Sequence, residues 1–167
     1  NGTLGTTTVH THTINDDEAT PEWDFALSAS NPNENVGTHN IVINLSVAPA
    51  ADETITYTVA DGTAEESGTP DDYNFASGTA TISGGSTVAT ITATINDDTW
   101  TEDNETLTVT LSLPSAGTSL GTTTVHTVTI QDNDTAPVVN FAAATSTALE
   151  NSTPRNIVLN LDHESEN

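Results

Sequence analysis

Acidic residues in this 167-residue chain gather where predicted β-strands begin and end. The run Asp71-Asp72 precedes one strand, Asn96-Asp97-Asp98 ends another, Glu102-Asp103-Asn104-Glu105 opens the next, and Asp132-Asn133-Asp134 closes the last. Neighbouring carboxylates repel one another unless a cation lies among them. Calcium takes about six to eight oxygen ligands, whereas magnesium retains its own waters in a tighter octahedron. The pattern therefore favours a calcium site built from loops at one pole of a β fold.

An internal repeat organises the chain. The segment Leu4–Thr11 recurs unchanged as Leu120–Thr127, 116 residues later, and the register continues without a gap to the end of the sequence. About 22 of the 48 aligned pairs are identical. Self-similarity at a fixed period is typical of repeat architectures. We therefore interpret the chain as a segment of a tandem array of repeats.

Two short linkers divide the chain, at Ala19–Pro21 and Thr135–Pro137. We interpret residues 1–18 as the last strand of a preceding repeat, 21–134 as one complete repeat, and 138–167 as the first strands of the following repeat. Neither end fragment can bury a core alone, because an isolated β segment is marginal in water. We expect neighbouring repeats, or copies of the same protein in a filament, to complete these ends.

Apolar and polar residues alternate within the complete repeat, and turn residues interrupt the runs about every 8–12 positions, which is typical of a sandwich. We find no helix signal. The sequence thus predicts an all-β, immunoglobulin-like Greek-key sandwich of about seven strands, repeated in tandem. The predicted strands lie near Trp23–Ser28, His39–Val47, Thr54–Ala60, Gly78–Ser83, Val88–Ile95, Thr106–Leu113 and Thr122–Ile130.

Several motifs follow one another along the complete repeat. They are Asp72–Thr79, Ile95–Asp98, Glu102–Leu107, Leu111–Pro114, Leu120-Gly121 and Ile130–Asp134. In order and spacing they resemble the signatures of the Calx-beta family, which was named for regulatory domains of sodium–calcium exchangers and also occurs in bacterial surface-protein arrays. The resemblance covers 21–134 and, through the internal repeat, both flanking pieces.

The resemblance implies a set of calcium ligands. Asn133 stands where some calcium-binding relatives carry a third aspartate, between two of the implied ligands. By resemblance, the ligands fall at Glu34, Asp72, Asp97, Asp98, Glu102, Glu105, Asp132 and Asp134.

Net charge narrows the possible partners. The chain carries 24 acidic side chains against one basic side chain, Arg155, for a formal charge of −23. This field repels a phosphate backbone and an anionic lipid surface, so we expect neither nucleic-acid binding nor membrane insertion. The repulsion must be screened by salt, neutralised by bound cations or spread along an extended molecule. Adaptation to high salt is therefore a rival explanation of the charge.

Other kinds of site find little support. The absence of cysteine excludes disulfides and thiolate ligands. His10 and His126 occupy the same repeat position, and no histidine pair has zinc-ligand spacing within one repeat, so we expect the histidines at surface positions of strands. No nucleophile elbow, zinc-protease helix or phosphate loop is present, and we expect no enzyme activity.

These observations favour a calcium-stiffened structural spacer of an extracellular adhesin or surface filament, either secreted or attached to the cell surface. In this hypothesis the repeats project a distal binding region. The alternative is a ligand-binding adhesion module that recognises carbohydrate or protein through its loops, with Trp100 or Tyr73 as contacts.

Overall fold

The computed structural model of the chain describes residues 1–15, 17–68, 70–151, 154 and 156–164. Within the described part of the complete repeat, seven strands have four or more residues, and each overlaps one of the seven strands predicted from the sequence. These strands are β1 (Glu22–Phe25), β3 (Thr38–Leu45), β4 (Glu53–Asp61), β6 (Gly78–Ile82), β7 (Val88–Ile95), β8 (Glu105–Ser112) and β10 (Val125–Ile130).

Shorter elements complete the secondary structure of the described residues. The part of the chain that the structure describes contains no α-helix, and no helix in it has the length and apolar character needed to cross a bilayer. The shorter elements are β2 (Ala29–Ser30), a 3-10 turn (Glu34–Val36), β5 (Tyr73–Asn74), β9 (Ser119–Leu120), β11 (Val139–Phe141) and β12 (Leu159–Leu161).

Two five-stranded sheets form the sandwich. Strands β5, β7, β3, β1 and β9 are neighbours in that order in the first sheet, and β2, β10, β8, β4 and β6 in the second. The first segment of the repeat therefore begins in one sheet, as β1, and crosses to the other, as β2. This arrangement confirms the predicted all-β, immunoglobulin-like sandwich.

The first and last segments of the complete repeat run side by side in parallel. Strand β1 pairs with β9 in the first sheet, and β2 pairs with β10 in the second. Beyond these pairs, Asn33 forms a parallel bridge with Gln131, and the backbone N–H of Glu34 donates to the carbonyl of Gln131 at 2.9 Å. We call this contact between 21–34 and 119–131 the parallel seam. It brings Glu34 to the acidic run that follows β10.

The core lies between the two sheets and follows the predicted alternation. In β7, Ile91, Ala93 and Ile95 are buried, while the threonines between them are exposed. Burying one isoleucine side chain stabilises a fold by about 1.5–3 kcal/mol. The largest fully buried side chains are Trp23, Tyr73, Ile41, Ile43, Leu45, Ile55, Ile82, Ile95, Leu107, Leu111, Val109 and Val128.

A polar contact closes the start of the parallel seam. The carboxylate of Asp24 accepts a hydrogen bond from the backbone N–H of Thr123 at 2.5 Å. The same carboxylate lies against Gly121, where an added Cβ would be 2.1 Å from Oδ2 of Asp24. Nearby, Nε1 of the buried Trp23 donates to Oγ1 of Thr118 at 2.9 Å. A side chain at 121 would therefore displace the Asp24 carboxylate from its hydrogen bond with Thr123.

Replacing this glycine tests the seam. We expect Gly121→Ala to lower the free energy of unfolding by about 1–3 kcal/mol, the usual cost of overpacking, as measured by urea denaturation. Gly5→Ala is a matched control, because Gly5 holds the same repeat position but has no atom within 4 Å of its added Cβ. Equal stability of the two variants would contradict this account of Gly121.

His126 is buried, so the prediction of surface positions was wrong for this histidine. Its residue exposure is 3%, and its ring centroid lies 5.5 Å from that of Phe25. Its Nδ1 lies 2.7 Å from the carbonyl of Leu27, which can only accept, so Nδ1 carries the hydrogen. Oγ of Ser30 lies 2.8 Å from Nε2 of His126 and 2.8 Å from Nε2 of His39, within hydrogen-bond distance of both rings. These bonds satisfy the buried ring and tie β3 of one sheet to β2 and β10 of the other.

The same contacts predict a dependence of stability on pH. Burial lowers the pKa of His39 below its ordinary value of 6.5, and the nearby His126 lowers it further. His39 therefore binds a proton more weakly in the folded chain than in the unfolded chain. The stabilisation from neutral His39 is present above about pH 6.5 and is lost as the pH falls. Between pH 7.5 and 5.5, urea unfolding in chelator should show a larger loss of stability for wild type than for His39→Asn. A loss at least as large in the variant would count against this assignment.

The segment after the complete repeat copies its opening strands. Val139 pairs with Leu161 and Phe141 with Leu159, which is the register of β1 with β3 shifted by 116 residues. All four side chains are more than half exposed. The described residues 1–15 form no strand and are exposed. That neighbouring repeats or copies of the chain cover these ends stays a prediction.

Candidate metal centre

Loops and strand ends from five segments meet at the pole of the sandwich where β10 ends. They are the 3-10 turn, the start of β5, the end of β7, the start of β8 and the end of β10. They enclose a cavity of about 10 Å³, which is room for one water-sized sphere. Nine of its ten lining residues carry carboxylate or amide side chains. The lining is Glu34, Asp71, Asp72, Asn96, Asp98, Glu102, Asp103, Glu105, Ile130 and Asp132.

The first carboxylate group consists of Glu34, Asp98 and Asp134, whose candidate ligand oxygens all lie within 4.8 Å of one another. Glu34 is only 4% exposed. Its Oε1 accepts a hydrogen bond from the backbone N–H of Asp98 at 2.8 Å. Its Oε2, like Oδ2 of Asp134, is buried without a hydrogen-bond partner. The parallel seam and the end of β7 thus hold a buried carboxylate against two others.

The second carboxylate group consists of Asp72, Glu102 and Glu105, again with candidate ligand oxygens within 4.8 Å of one another. The backbone N–H of Glu65 donates to Oδ2 of Asp72 at 2.6 Å. The backbone N–H of Asn96 donates to the carbonyl of Asp72 at 2.9 Å. These bonds fix Asp72 beside the start of β8, which supplies Glu105.

Asp132 joins the two groups. Its Oδ2 accepts from the backbone N–H of Glu102 at 3.3 Å, and its Oδ1 accepts from the backbone N–H of Asp134 at 2.9 Å. One carboxylate therefore holds a member of each group in place.

Electrostatic repulsion acts within the first group. Burial raises the pKa of Glu34, the N–H of Asp98 opposes this rise, and the charges of Asp98, Asp134 and Asp132 raise it further. Burial likewise raises the pKa of Asp134, and Asp132, Asp97 and Asp98 add to this effect. A proton or a cation is therefore favoured at this group over the bare charges.

The structure brings together seven of the eight predicted ligands. Six form the two groups, and Asp132 lines the cavity between them. Asp97 is exposed and lies outside both groups. The predicted ligand set omits Asp71, Asn96 and Asp103, although each belongs to one of the acidic runs and lines the cavity. Nδ2 of Asn96 donates to the carbonyl of Asp71 at 2.9 Å and to its Oδ2 at 3.1 Å, which orders the approach to Asp72.

The two aromatic residues considered as ligand contacts differ in setting. Tyr73 is 1% exposed, and its hydroxyl donates to the carboxylate of Asp61, so it cannot form a surface contact as predicted for the ligand-binding alternative. Burial and this hydrogen bond raise the pKa of Tyr73. Trp100 is half-buried, and its backbone N–H donates to Oδ1 of Asp98 at 2.6 Å. The Trp100 backbone therefore orients a member of the first group.

The sheet order, the parallel seam and the acid-lined pole define an immunoglobulin-like β-sandwich with one carboxylate-rich loop pole. A family model described as the Calx-beta domain matches residues 16–134, which is more than half of the chain. The chain therefore belongs to the Calx-beta family.

Solved structures agree with this assignment at the level of the fold. The apo-form Calx CBD1 domain is 23% identical, with a TM-score of 0.63, and the match covers 70% of this chain and 100% of that domain. The calcium binding domain CBD12 of CALX1.1 is also 23% identical with a TM-score of 0.63, over 73% of this chain and half of that one. The Calx CBD2 domain is 15% identical with a TM-score of 0.60, over 66% and 86%. No curated protein is significantly similar to the chain.

Proposed function

We propose that the complete repeat is a calcium-binding spacer module of an extracellular adhesin or surface filament. Its partners in this proposal are neighbouring repeats or further copies of the same chain. The observation that carries the proposal is the side chain of Glu34, which is almost fully buried with one oxygen lacking a hydrogen-bond partner. A buried carboxylate costs free energy unless an opposite charge compensates it. A cation shared with Asp98 and Asp134 would supply that charge.

Calcium suits the chemistry of the site. Both groups offer only carboxylate oxygens, which are ligands for hard cations, and neither contains nitrogen or sulfur. The carboxylates come from several separate loops, an arrangement that suits the irregular, high-coordination shell of calcium better than the strict octahedron of magnesium. A solved structure of the same fold is described as a calcium binding domain.

The position of the site supports a role at the joint between repeats. Asp134 of the first group directly precedes Thr135, whose carbonyl accepts a hydrogen bond from Oγ1 of Thr101 at 2.7 Å. Nε2 of His163, from the segment after the linker, also contacts this carbonyl. Thr101 directly precedes Glu102 of the second group. An ion bound by these groups would therefore restrain the linker as well as the loops.

Glu34→Gln separates the repulsion at the pole from cation binding. In chelator the neutral amide relieves repulsion with Asp98 and Asp134, so the variant should melt above wild type. In 5 mM calcium the order should reverse, because the variant has lost a ligand. Extracellular modules have dissociation constants of about 10⁻⁴–10⁻³ M, so wild type gains about 1–2 kcal/mol per site by mass action. Scanning calorimetry measures both orders.

Two controls make this measurement specific. Glu150 holds the same repeat position as Glu34 but is exposed, so Glu150→Gln should behave as wild type in both buffers. Sodium chloride at the ionic strength of the calcium buffer should protect wild type less than calcium does. If the salt protects equally, the charge reflects adaptation to high salt, and the calcium proposal fails.

The joint itself is tested with a protein of three tandem repeats. Removing calcium at constant ionic strength should shorten and loosen the array more than it unfolds each repeat, because the ions restrain the linkers. Asp132→Ala in one repeat should produce the same loosening at its own joint. Small-angle scattering gives the maximum dimension, and an unchanged value after chelation would show that calcium does not stiffen the array.

A further inference from the structure

Strand β1 covers only part of the neighbouring strand β3. It pairs with residues 43–45, and the last contact is a hydrogen bond from the backbone N–H of Ala26 to the carbonyl of Val42 at 2.9 Å. The chain then crosses to the other sheet, where it forms β2. The first half of β3 therefore has β7 on one side and no strand of the described chain on the other.

Two hydrogen bonds show which backbone groups face this uncovered edge. The carbonyl of Gly37 accepts from the N–H of Ile95 on the β7 side, whereas the carbonyl of Val42 faces β1. Because successive residues of a strand point their backbone groups to opposite sides, Thr38 and Asn40 face the same side as Val42. Among the described residues, neither has a backbone partner on that side, and both are exposed. The edge therefore presents unpaired N–H and C=O groups.

A cavity of about 160 Å³ opens beside this edge, where the chain passes from β1 to β2. The buried His126 and the half-buried His39 line it, and none of its lining residues is acidic, although the chain carries a charge of −23. A cavity of about 150 Å³ is large enough to hold benzene. The lining is Ala26, Leu27, Ser30, His39, Asn40, Ile41, Val42 and His126.

The same feature recurs in the segment after the complete repeat. The backbone N–H of Ala142 donates to the carbonyl of Val158 at 2.9 Å, which repeats the bond from Ala26 to Val42 after 116 residues. A cavity of about 150 Å³ lies beside it, and each of its lining residues is 116 positions after a lining residue of the first cavity. That lining is Ala142, Ala143, Ser146, Asn156, Ile157 and Val158. We call the uncovered edge together with its cavity the edge cleft, and it is a property of the repeat.

We propose that the edge cleft binds an extended, positively charged peptide segment of a partner protein. The segment adds to β3 as an antiparallel strand and pairs with Thr38 and Asn40, in the place that β1 leaves. Because side chains alternate along a strand, one apolar side chain of the segment enters the cavity while its neighbours face solvent.

Charge and composition support this partner. Exposed edges are commonly protected by charged side chains or proline, and residues 38–42 contain no proline, lysine, arginine or acid. The charge of −23 attracts a basic segment and repels a second copy of the chain. The edge cleft shares no lining residue with the acid-lined cavity, and this inference does not rest on the proposed calcium function.

Hydrogen exchange of the full chain, followed by NMR, tests the inference with short synthetic peptides. Each peptide has lysine at both ends, threonines between, and glycine, leucine or phenylalanine at its centre. The leucine and phenylalanine peptides should slow exchange of the amides of Thr38 and Asn40, which are unpaired in the chain alone. They should bind about tenfold more tightly than the glycine peptide, a difference of about 1.4 kcal/mol. Replacing the lysines with glutamates should weaken binding.

Two positions of the chain provide matched variants. Asn40→Pro removes an N–H that faces the uncovered edge and leaves the bonds to β7 in place, so it should abolish peptide binding. Asn40→Ala loses the same side-chain bond to Oγ1 of Thr92 but keeps the N–H, and it should bind as wild type does. Ala26→Leu fills the cavity and should weaken the leucine and phenylalanine peptides more than the glycine peptide. Circular dichroism confirms that each variant remains folded.

Protection of both amides, with a preference for an apolar centre and loss in Asn40→Pro, supports the inference. It is overturned if no peptide slows exchange at Thr38 and Asn40, if Asn40→Pro binds as well as Asn40→Ala, or if the glycine and leucine peptides bind equally. If raising the concentration of the chain alone protects these amides, a second copy fills the edge cleft and the proposed partner is wrong.

Discussion

Repulsion among carboxylates held at one pole is the interaction on which the rest of this structure depends. Glu34, Asp98 and Asp134 come from three separate segments, and each would move apart in water if the fold allowed it. The parallel seam holds the first and last of these segments together, and strand β7 holds the second. Apolar burial between the sheets, around Trp23 and Ile43, supplies the opposing free energy. The sandwich therefore supports a charge arrangement that is unfavourable without a compensating proton or cation.

The sequence predicted the long strands because alternation is a local property. It did not predict β2, β5 and β9, because a two-residue strand exists only through pairing with a distant partner, as Ser30 pairs with Val128. The acidic runs were visible for the same local reason, but their division into two groups depends on which loops meet in space. Asp97 was assigned by its position in a motif, whereas its actual partner, Asn133, lies 36 residues away.

The internal repeat shows how strongly environment decides the role of an identical residue. Glu34 and Glu150 are the same residue at the same repeat position, but the first is buried among charges and the second is exposed. His10 and His126 differ in the same way, since only His126 has two packed sheets around it. One hydrogen bond also occurs in both copies of the repeat, although the accepting side chain differs. The backbone N–H of Glu22 donates to the hydroxyl of Ser46, and 116 residues later the equivalent N–H donates to a carboxylate, at Asp162. Both side chains can accept, which is all that this position requires.

The parallel seam also determines how the domain responds to tension. The chain enters the seam at Pro21, beside Ser119, and leaves it after Gln131, beside Asn33. The points of entry and exit therefore lie at opposite ends of the seam. A pull on residues 21 and 131 in opposite directions would slide the two segments past one another and load the seam hydrogen bonds together in shear. Forced unfolding is governed by the barrier to that event and not by equilibrium stability. A domain of modest thermodynamic stability can in this way resist load.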